Sequence, residues 1–328
     1  MTRFHIEHFI IAAIISFVIG PIIIPELKKL KIGQSIRLDG PQSHLVKTGT
    51  PTMGGIIFIL SSIITMLLFG FNGKNTIICI FSMLGFGVIG LIDDYLIVVK
   101  KTNDGLSAGQ KFSAQFIMGL ILMLITIKDP SLTHLYVPFF GNTTVDLGLF
   151  FYPLTLFVIL GTVNSVNLTD GLDGLSSSVS IVALIGFAII NGLLVNDEIT
   201  MFSMALAGGL LGFLKFNKYP AQVFMGDVGS LALGGAFTAI AVTSATTLYL
   251  PFLGIIFVVE TLSVIIQVIS FKTRGKRVFL MSPIHHHFEA KGWHEKKVVR
   301  VFYSITIFIT ILAILGIARG NIWKERNY

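Results

Sequence analysis

Ten apolar stretches recur along the 328-residue chain, near 6–25, 53–71, 76–93, 112–128, 149–166, 175–195, 199–214, 229–247, 251–271 and 300–318. Each is about the length that crosses a bilayer as a helix. Membrane barrels instead alternate apolar and polar residues over segments of about ten. The pattern therefore predicts an all-α polytopic membrane protein with about ten transmembrane helices. Composition agrees: 12% of residues are charged and 53% hydrophobic, against roughly a quarter charged in soluble domains. No repeat and no soluble module interrupts the series, so residues 1–328 read as one integral-membrane domain. The one cysteine, Cys79, lies in an apolar run and reads as a packing residue. The first run lacks a basic leader and a small-residue cleavage site, so it reads as a retained helix.

Charge orients the spans. Of the 24 Lys and Arg, 18 fall in the connections of one side. The positive-inside rule puts that side in the cytoplasm and both termini outside. The outer segment 130–148 reads as a short β-hairpin, "YVPFF" and "TTVDL" around a Gly-Asn turn.

The polar residues capable of chemistry collect on the cytoplasmic side. They lie in "LIDDYL" (Asp93, Asp94), "NSVNLTDGLDGL" (Asn164 to Leu175), "FNKYPAQVFMGDVGS" (Phe216 to Ser230) and "MSPIHHHFEAKGW" (Met281 to Trp293), each at or beside a helix end. Acids near a membrane are costly and are kept with a partner or a function. Asp93, Asp94, Asp170, Asp173 and Asp227 on one face point to a cation site. Carboxylates without thiolates suit a hard cation such as Mg²⁺, which shares its shell with water and substrate phosphates. Lys47, ahead of "TPTMGG", and Lys111 beside these acids fit a phosphorylated substrate. Other readings stand beside this one. Adjacent aspartates can be solvated or capping, "TDGLDG" can be a turn, and Asp227 can cap the next helix. Asn167, Asp170 and Asp173 recur every third residue, so one helical turn would group them.

The stretches "LIDDYL", "NLTDGLDGL", "FMGDVGSLALG" and "PIHHHFEAKGW" resemble those of the bacterial phospho-N-acetylmuramoyl-pentapeptide transferases, within the polyprenyl-phosphate N-acetylhexosamine-1-phosphate transferases. The likeness runs from "TPTMGG" to "HHHFEAKGW", nearly the whole chain, and the histidine stretch is its most specific mark. It implies transfer of phospho-MurNAc-pentapeptide from UDP-MurNAc-pentapeptide to undecaprenyl phosphate, giving lipid I and UMP in peptidoglycan synthesis, with Mg²⁺ as cofactor. It implies a multi-pass protein of the bacterial cytoplasmic membrane among membrane lipids, with its site facing the cytoplasm, a possible homodimer and no nucleic-acid partner. By the same resemblance Asp93 is a general base or a positioning group for the lipid phosphate, with Asp94 beside it. Asp227 is the Mg²⁺ ligand, and Asn167 and Asp170 are polar residues near it. Lys47, Gly171, Leu172, Asp173 and Phe224 line the uridine pocket, with Phe224 stacking on uracil. Thr52, Lys111, Asn217 and Gln267 surround nucleotide and sugar.

Two alternatives share these motifs. A sister transferase would move another HexNAc-1-phosphate to the same lipid. A cation-coupled transporter would hold its acids near the bilayer midplane, whereas only Glu260 and Gln267 lie inside a run here. The histidines themselves do not read as a zinc site, because three adjacent side chains point in different directions and no cysteine is near. Imidazole N–H groups donate to phosphate oxygens, so His285, His286 and His287 are expected at the diphosphate, with at most two reaching it and His285 and His286 favoured.

Overall fold

The computed structural model describes residues 4–29, 49–70, 73–100 and 105–326. Lys47 lies outside them. Among the described residues the chain is helical apart from one small hairpin. Long helices are α1 (Ile6–Lys29), α3 (Lys74–Lys100), α4 (Ala108–Thr126), α5 (Phe151–Thr169), α6 (Leu175–Leu193), α7 (Asp197–Asn217), α8 (Gly226–Thr243), α10 (Ile255–Arg274) and α12 (Glu295–Arg326). All nine are long and apolar enough to cross a membrane. The tenth apolar run forms α2 (Gly55–Phe69), which is shorter, at 15 residues. Two brief helices complete the set, α9 (Leu250–Leu253) and α11 (Ile284–Ala290).

Hydropathy placed these helices because, in hydrocarbon, a segment must satisfy its backbone polar groups internally. The ends of the helices depart from the apolar pattern in two places. α3 continues past the last apolar residues to Lys100, so Asp93 and Asp94 lie within the helix and not at its end. The run at 251–271 is broken at Gly254 into α9 and α10.

The hairpin pairs β1 (His134–Tyr136) with β2 (Thr144–Asp146), His134 opposite Asp146 and Tyr136 opposite Thr144. Its strands are shorter than the sequence pattern suggests. Gly141 and Asn142 sit within a longer connection, 137–143, closed by the Val137 N–H donating to the Thr143 carbonyl at 2.9 Å.

The helices sort into a centre and a rim. In α6 and in α8, 89% of the spanning window is buried. α1, α4, α10 and α12 bury a third or less of theirs and present residues such as Ile22, Ile117, Ile269 and Phe308 outward. Small residues let the inner helices approach closely. On α7, Gly208 and Gly212 face α1, and a Cβ on Gly212 would lie 2.5 Å from the Ala13 carbonyl oxygen. On α8, a Cβ on Gly235 would lie 2.9 Å from the Ser82 carbonyl of α3. Gly234 of α8 likewise packs on Val163 of α5, so α3, α5 and α8 lie side by side, with the Asp93 end of α3, the C-terminus of α5 and the N-terminus of α8 at one end of the bundle.

Candidate active site where α3, α4, α5 and α8 meet

Asp93 faces the loop that leads into α4. Its Oδ1 accepts the Leu106 N–H at 2.6 Å. The next residue, Ser107, caps α4 by accepting the Gln110 N–H, and Gln110 returns a bond to the Ser107 N–H, a capping box. This start fixes α4 so that Lys111, in its first turn, reaches back between two carboxylates. Its Nζ lies 3.3 Å from Asp93 Oδ2 and in direct contact with Asp227 Oδ2.

Asp227 stands in the first turn of α8, as expected from the sequence, where the helix dipole favours an anion. Its other oxygen accepts from Asn167 Nδ2 at 2.8 Å, and the same amide donates to Ser230 Oγ at 2.8 Å. Lys111, Asp93, Asp227 and Asn167 thus form one connected group drawn from four helices. Asp94 points elsewhere. It is buried, and its Oδ2 accepts the Val228 N–H at 3.1 Å, so it caps α8 from a different helix.

The expected grouping of Asn167, Asp170 and Asp173 on one turn does not form. α5 ends at Thr169 and the acids lie in the turn that follows. Asp170 remains on the Asp227 side. Burial holds its carboxyl well above the usual carboxylate range. The nearby Asp227, Asp94 and Asp173 charges add to this, and a bond from the Gly226 backbone opposes it. Asp173 is buried but turns away from Asp227, its Oδ2 accepting the Ala221 N–H at 2.9 Å while its own N–H donates to the Glu295 carboxylate at the start of α12.

The "TPTMGG" and "FMGD" stretches are joined backbone to backbone. The Phe224 N–H donates to the Pro51 carbonyl at 2.8 Å, and Gly54 and Gly55 donate to the Phe224 and Met225 carbonyls, each at 2.9 Å. Thr52 is buried at this junction with its hydroxyl unpaired. Phe224 is half-buried, and Leu172 is buried. Asn217 is buried and committed to the protein, accepting from Ser177 at 2.8 Å and donating to the Val223 carbonyl at 3.1 Å.

The three histidines take three different directions. His285 is 1% exposed and points inward, its Nδ1 3.0 Å from Glu260 Oε1. Its Nε2 has no hydrogen bond and faces Gly171, where a Cβ would collide with the ring. His286 Nδ1 meets Glu289 Oε2 at 2.7 Å. His287 Nδ1 accepts the Leu280 N–H at 3.1 Å, and its ring packs edge-on to Phe279 and Phe288. Gln267 serves the same loop, accepting the Val278 and Phe279 N–H groups at 2.9 and 3.0 Å and donating to the Phe279 carbonyl at 3.0 Å.

Three participants were not singled out as site residues from the sequence: Ser230, Glu295 and the Glu260 partner of His285. Glu260 carried a signal, being an acid inside an apolar run. Ser230 and Glu295 carried none, since an isolated serine or acid at a helix start is ordinary.

The donor set fits a hard divalent cation. Asp93 and Asp227 offer carboxylate oxygens converging on one positive charge, here the Lys111 ammonium.

Residues 76–245 match the family described as glycosyl transferase family 4. The chain is 48% identical over 317 residues to a phospho-N-acetylmuramoyl-pentapeptide-transferase of Thermoanaerobacter sp. (strain X514), covering 95% of this chain and 100% of that one. A protein of the same name from Clostridium botulinum (strain Alaska E43 / Type E3) is 49% identical over 303 residues, covering 92% and 93%. One from Clostridium novyi (strain NT) is 46% identical over 314 residues, covering 95% and 96%.

Proposed function

The chain belongs to the phospho-N-acetylmuramoyl-pentapeptide transferase family, and from that premise we propose how its residues carry out the transfer. The protein is a membrane enzyme of peptidoglycan synthesis. It moves phospho-MurNAc-pentapeptide from UDP-MurNAc-pentapeptide to undecaprenyl phosphate, giving lipid I and UMP. The observation that carries the residue assignment is the convergence of Lys111, Asp93, Asp227 and Asn167 from four helices.

A lipid-phosphate oxygen forms a bond to the β-phosphorus of the UDP group. The bond from that phosphorus to the bridging oxygen breaks, and UMP leaves with the oxygen and its electron pair. One phosphoanhydride replaces another, so alignment and charge neutralisation dominate the catalysis. Asp227, with Asp93 beside it, would hold Mg²⁺, which would neutralise the diphosphate charge when bound. Lys111, whose ammonium bridges Asp93 and Asp227, adds positive charge on the same side of the diphosphate. Asn167 fixes the Asp227 carboxylate through its amide, and the Leu106 N–H fixes that of Asp93. A phosphate monoester has a second pKa of about 6, so at neutral pH the lipid phosphate is already largely dianionic and Asp93 acts by positioning it. His285 Nε2 is buried against Gly171, so His285 supports the Gly171 turn from behind. Thr52, Gly171, Leu172 and Phe224 line the nucleotide side. The positive-inside bias supports a site facing the cytoplasm of the bacterial inner membrane, where a soluble donor meets a lipid acceptor. Pairing into a homodimer belongs to the same reading.

The test is transfer in vitro with polyprenyl phosphate and Mg²⁺, comparing UDP-MurNAc-pentapeptide with UDP-GlcNAc. Label should reach lipid from the muramoyl donor. Transfer from UDP-GlcNAc alone would assign the chain to a sister activity.

A further inference from the structure

At the opposite end of the bundle, His5, Glu7 and His8 converge where the chain enters α1. Nδ1 of His5 lies 3.2 Å from Oε1 of Glu7, and Nδ1 of His8 lies 3.4 Å from the same oxygen. One ligand atom from each residue falls within 4.8 Å of the others. Ligands sharing one ion at bonds of about 2.0–2.2 Å stand roughly 3–4 Å apart, so little movement is needed to close them on a cation.

A second observation points the same way. His8 is 3% exposed and stacked on Phe69 with ring centroids 4.2 Å apart, yet neither ring nitrogen makes a hydrogen bond. A buried imidazole ordinarily has a partner for its N–H or its lone pair. His5 is set against it by a left-handed backbone (φ 47), which places the two rings edge to face at 5.3 Å. The far nitrogen of His5 faces Asp197 Oδ1, at the start of α7, at 3.6 Å. Metal-bound imidazoles commonly hold their second nitrogen toward a carboxylate in this way. The N-terminus of α1 disfavours a cation, and Glu7 and Asp197 supply the opposing charge.

We propose that His5, Glu7 and His8 form a divalent transition-metal site of the kind zinc occupies, with Asp197 orienting His5. Two imidazoles and a carboxylate suit Zn²⁺ better than Mg²⁺ or Ca²⁺. Three protein ligands leave one position for water. The ion would tie the start of α1 to α7, away from the transfer chemistry, so the proposal is independent of that reading.

The full-length protein, purified without a polyhistidine tag, is titrated with Co²⁺ and then Zn²⁺. A saturable visible Co²⁺ band is expected, displaced by Zn²⁺, together with a rise in Tm on adding Zn²⁺. Glu7→Gln changes an exposed side chain and His5→Ala a residue ahead of the helix, so both variants should fold. In each, Co²⁺ affinity should fall at least tenfold, with transfer activity unchanged. His286→Gln, at the far end of the molecule, should keep the band. Absence of a saturable band, or a band that survives both Glu7→Gln and His5→Ala, would overturn the proposal.

Discussion

At the scale of single residues, the site separates groups that face the reaction from groups that hold them. Lys111 neutralises two carboxylates. Lys111→Met leaves them facing each other and the substrate phosphates, and should lower kcat by about 10²-fold, measured by UMP release. Asp93 already accepts from Leu106 and Lys111. The residual activity of Asp93→Asn should therefore keep the acidic limb of the wild-type pH–rate profile. Loss of that limb would make Asp93 the base. On the proposed reading Glu260 is a positioning residue that acts through His285. Its fully buried carboxylate accepts the His285 backbone N–H at 3.5 Å and lies 3.0 Å from the ring Nδ1, which holds the ring with Nε2 toward Gly171. Leaving a buried polar group without its partner costs roughly 1–3 kcal/mol. Glu260→Gln should cost about tenfold or more in kcat with little change in KM for the nucleotide substrate, and Glu260→Asp should restore part of it. The aspartates and histidines were legible as a set from their spacing. Their division of labour was not, because Asp93 and Asp94 are neighbours in sequence yet turn to different helices.

At the scale of helices, hydropathy located each span, and glycine decided how closely the inner ones pack. Gly208 and Gly212 lie one turn apart on α7 against α1. Gly212→Leu would drive a side chain into the Ala13 carbonyl and the Ser16 Cβ. Overpacking of this kind costs about 1–3 kcal/mol, so Tm in detergent should fall by several degrees, whereas the neighbouring, exposed Leu211→Ala should leave it nearly unchanged. The hairpin shows the limit of local reading. Gly-Asn is a strong turn signal, but the connection here is longer than two residues. β1 is fixed partly by the bundle, since the Tyr136 N–H donates to the Ala245 carbonyl beyond α8. A long-range backbone bond of that kind leaves no trace in the dipeptide pattern.

At the scale of the whole molecule, one end of the bundle carries the acids, Lys111 and the histidines, and the other carries the hairpin and the His5–Glu7–His8 group. With 18 of 24 Lys and Arg in the connections of the acid end, that end should face the cytoplasm. Single-cysteine variants on a Cys79→Ala background test this. Val195→Cys, at an exposed site 82% open, should react with a membrane-impermeant maleimide in intact spheroplasts. Lys218→Cys should react only after the membrane is opened, and the reverse pattern would invert the topology. The sequence by itself determined the membrane architecture, the polar stretches and the family resemblance, because hydropathy and motif spacing are properties of short, contiguous segments. The tertiary structure decided which carboxylate meets Lys111, that Asp94 caps α8, that Asp173 turns away, and that His285 alone of the three points inward. Those outcomes depend on how each helix is rotated and tilted against its neighbours. That orientation is set by close packing between residues far apart in the chain, such as Asn167 and Asp227, 60 positions apart.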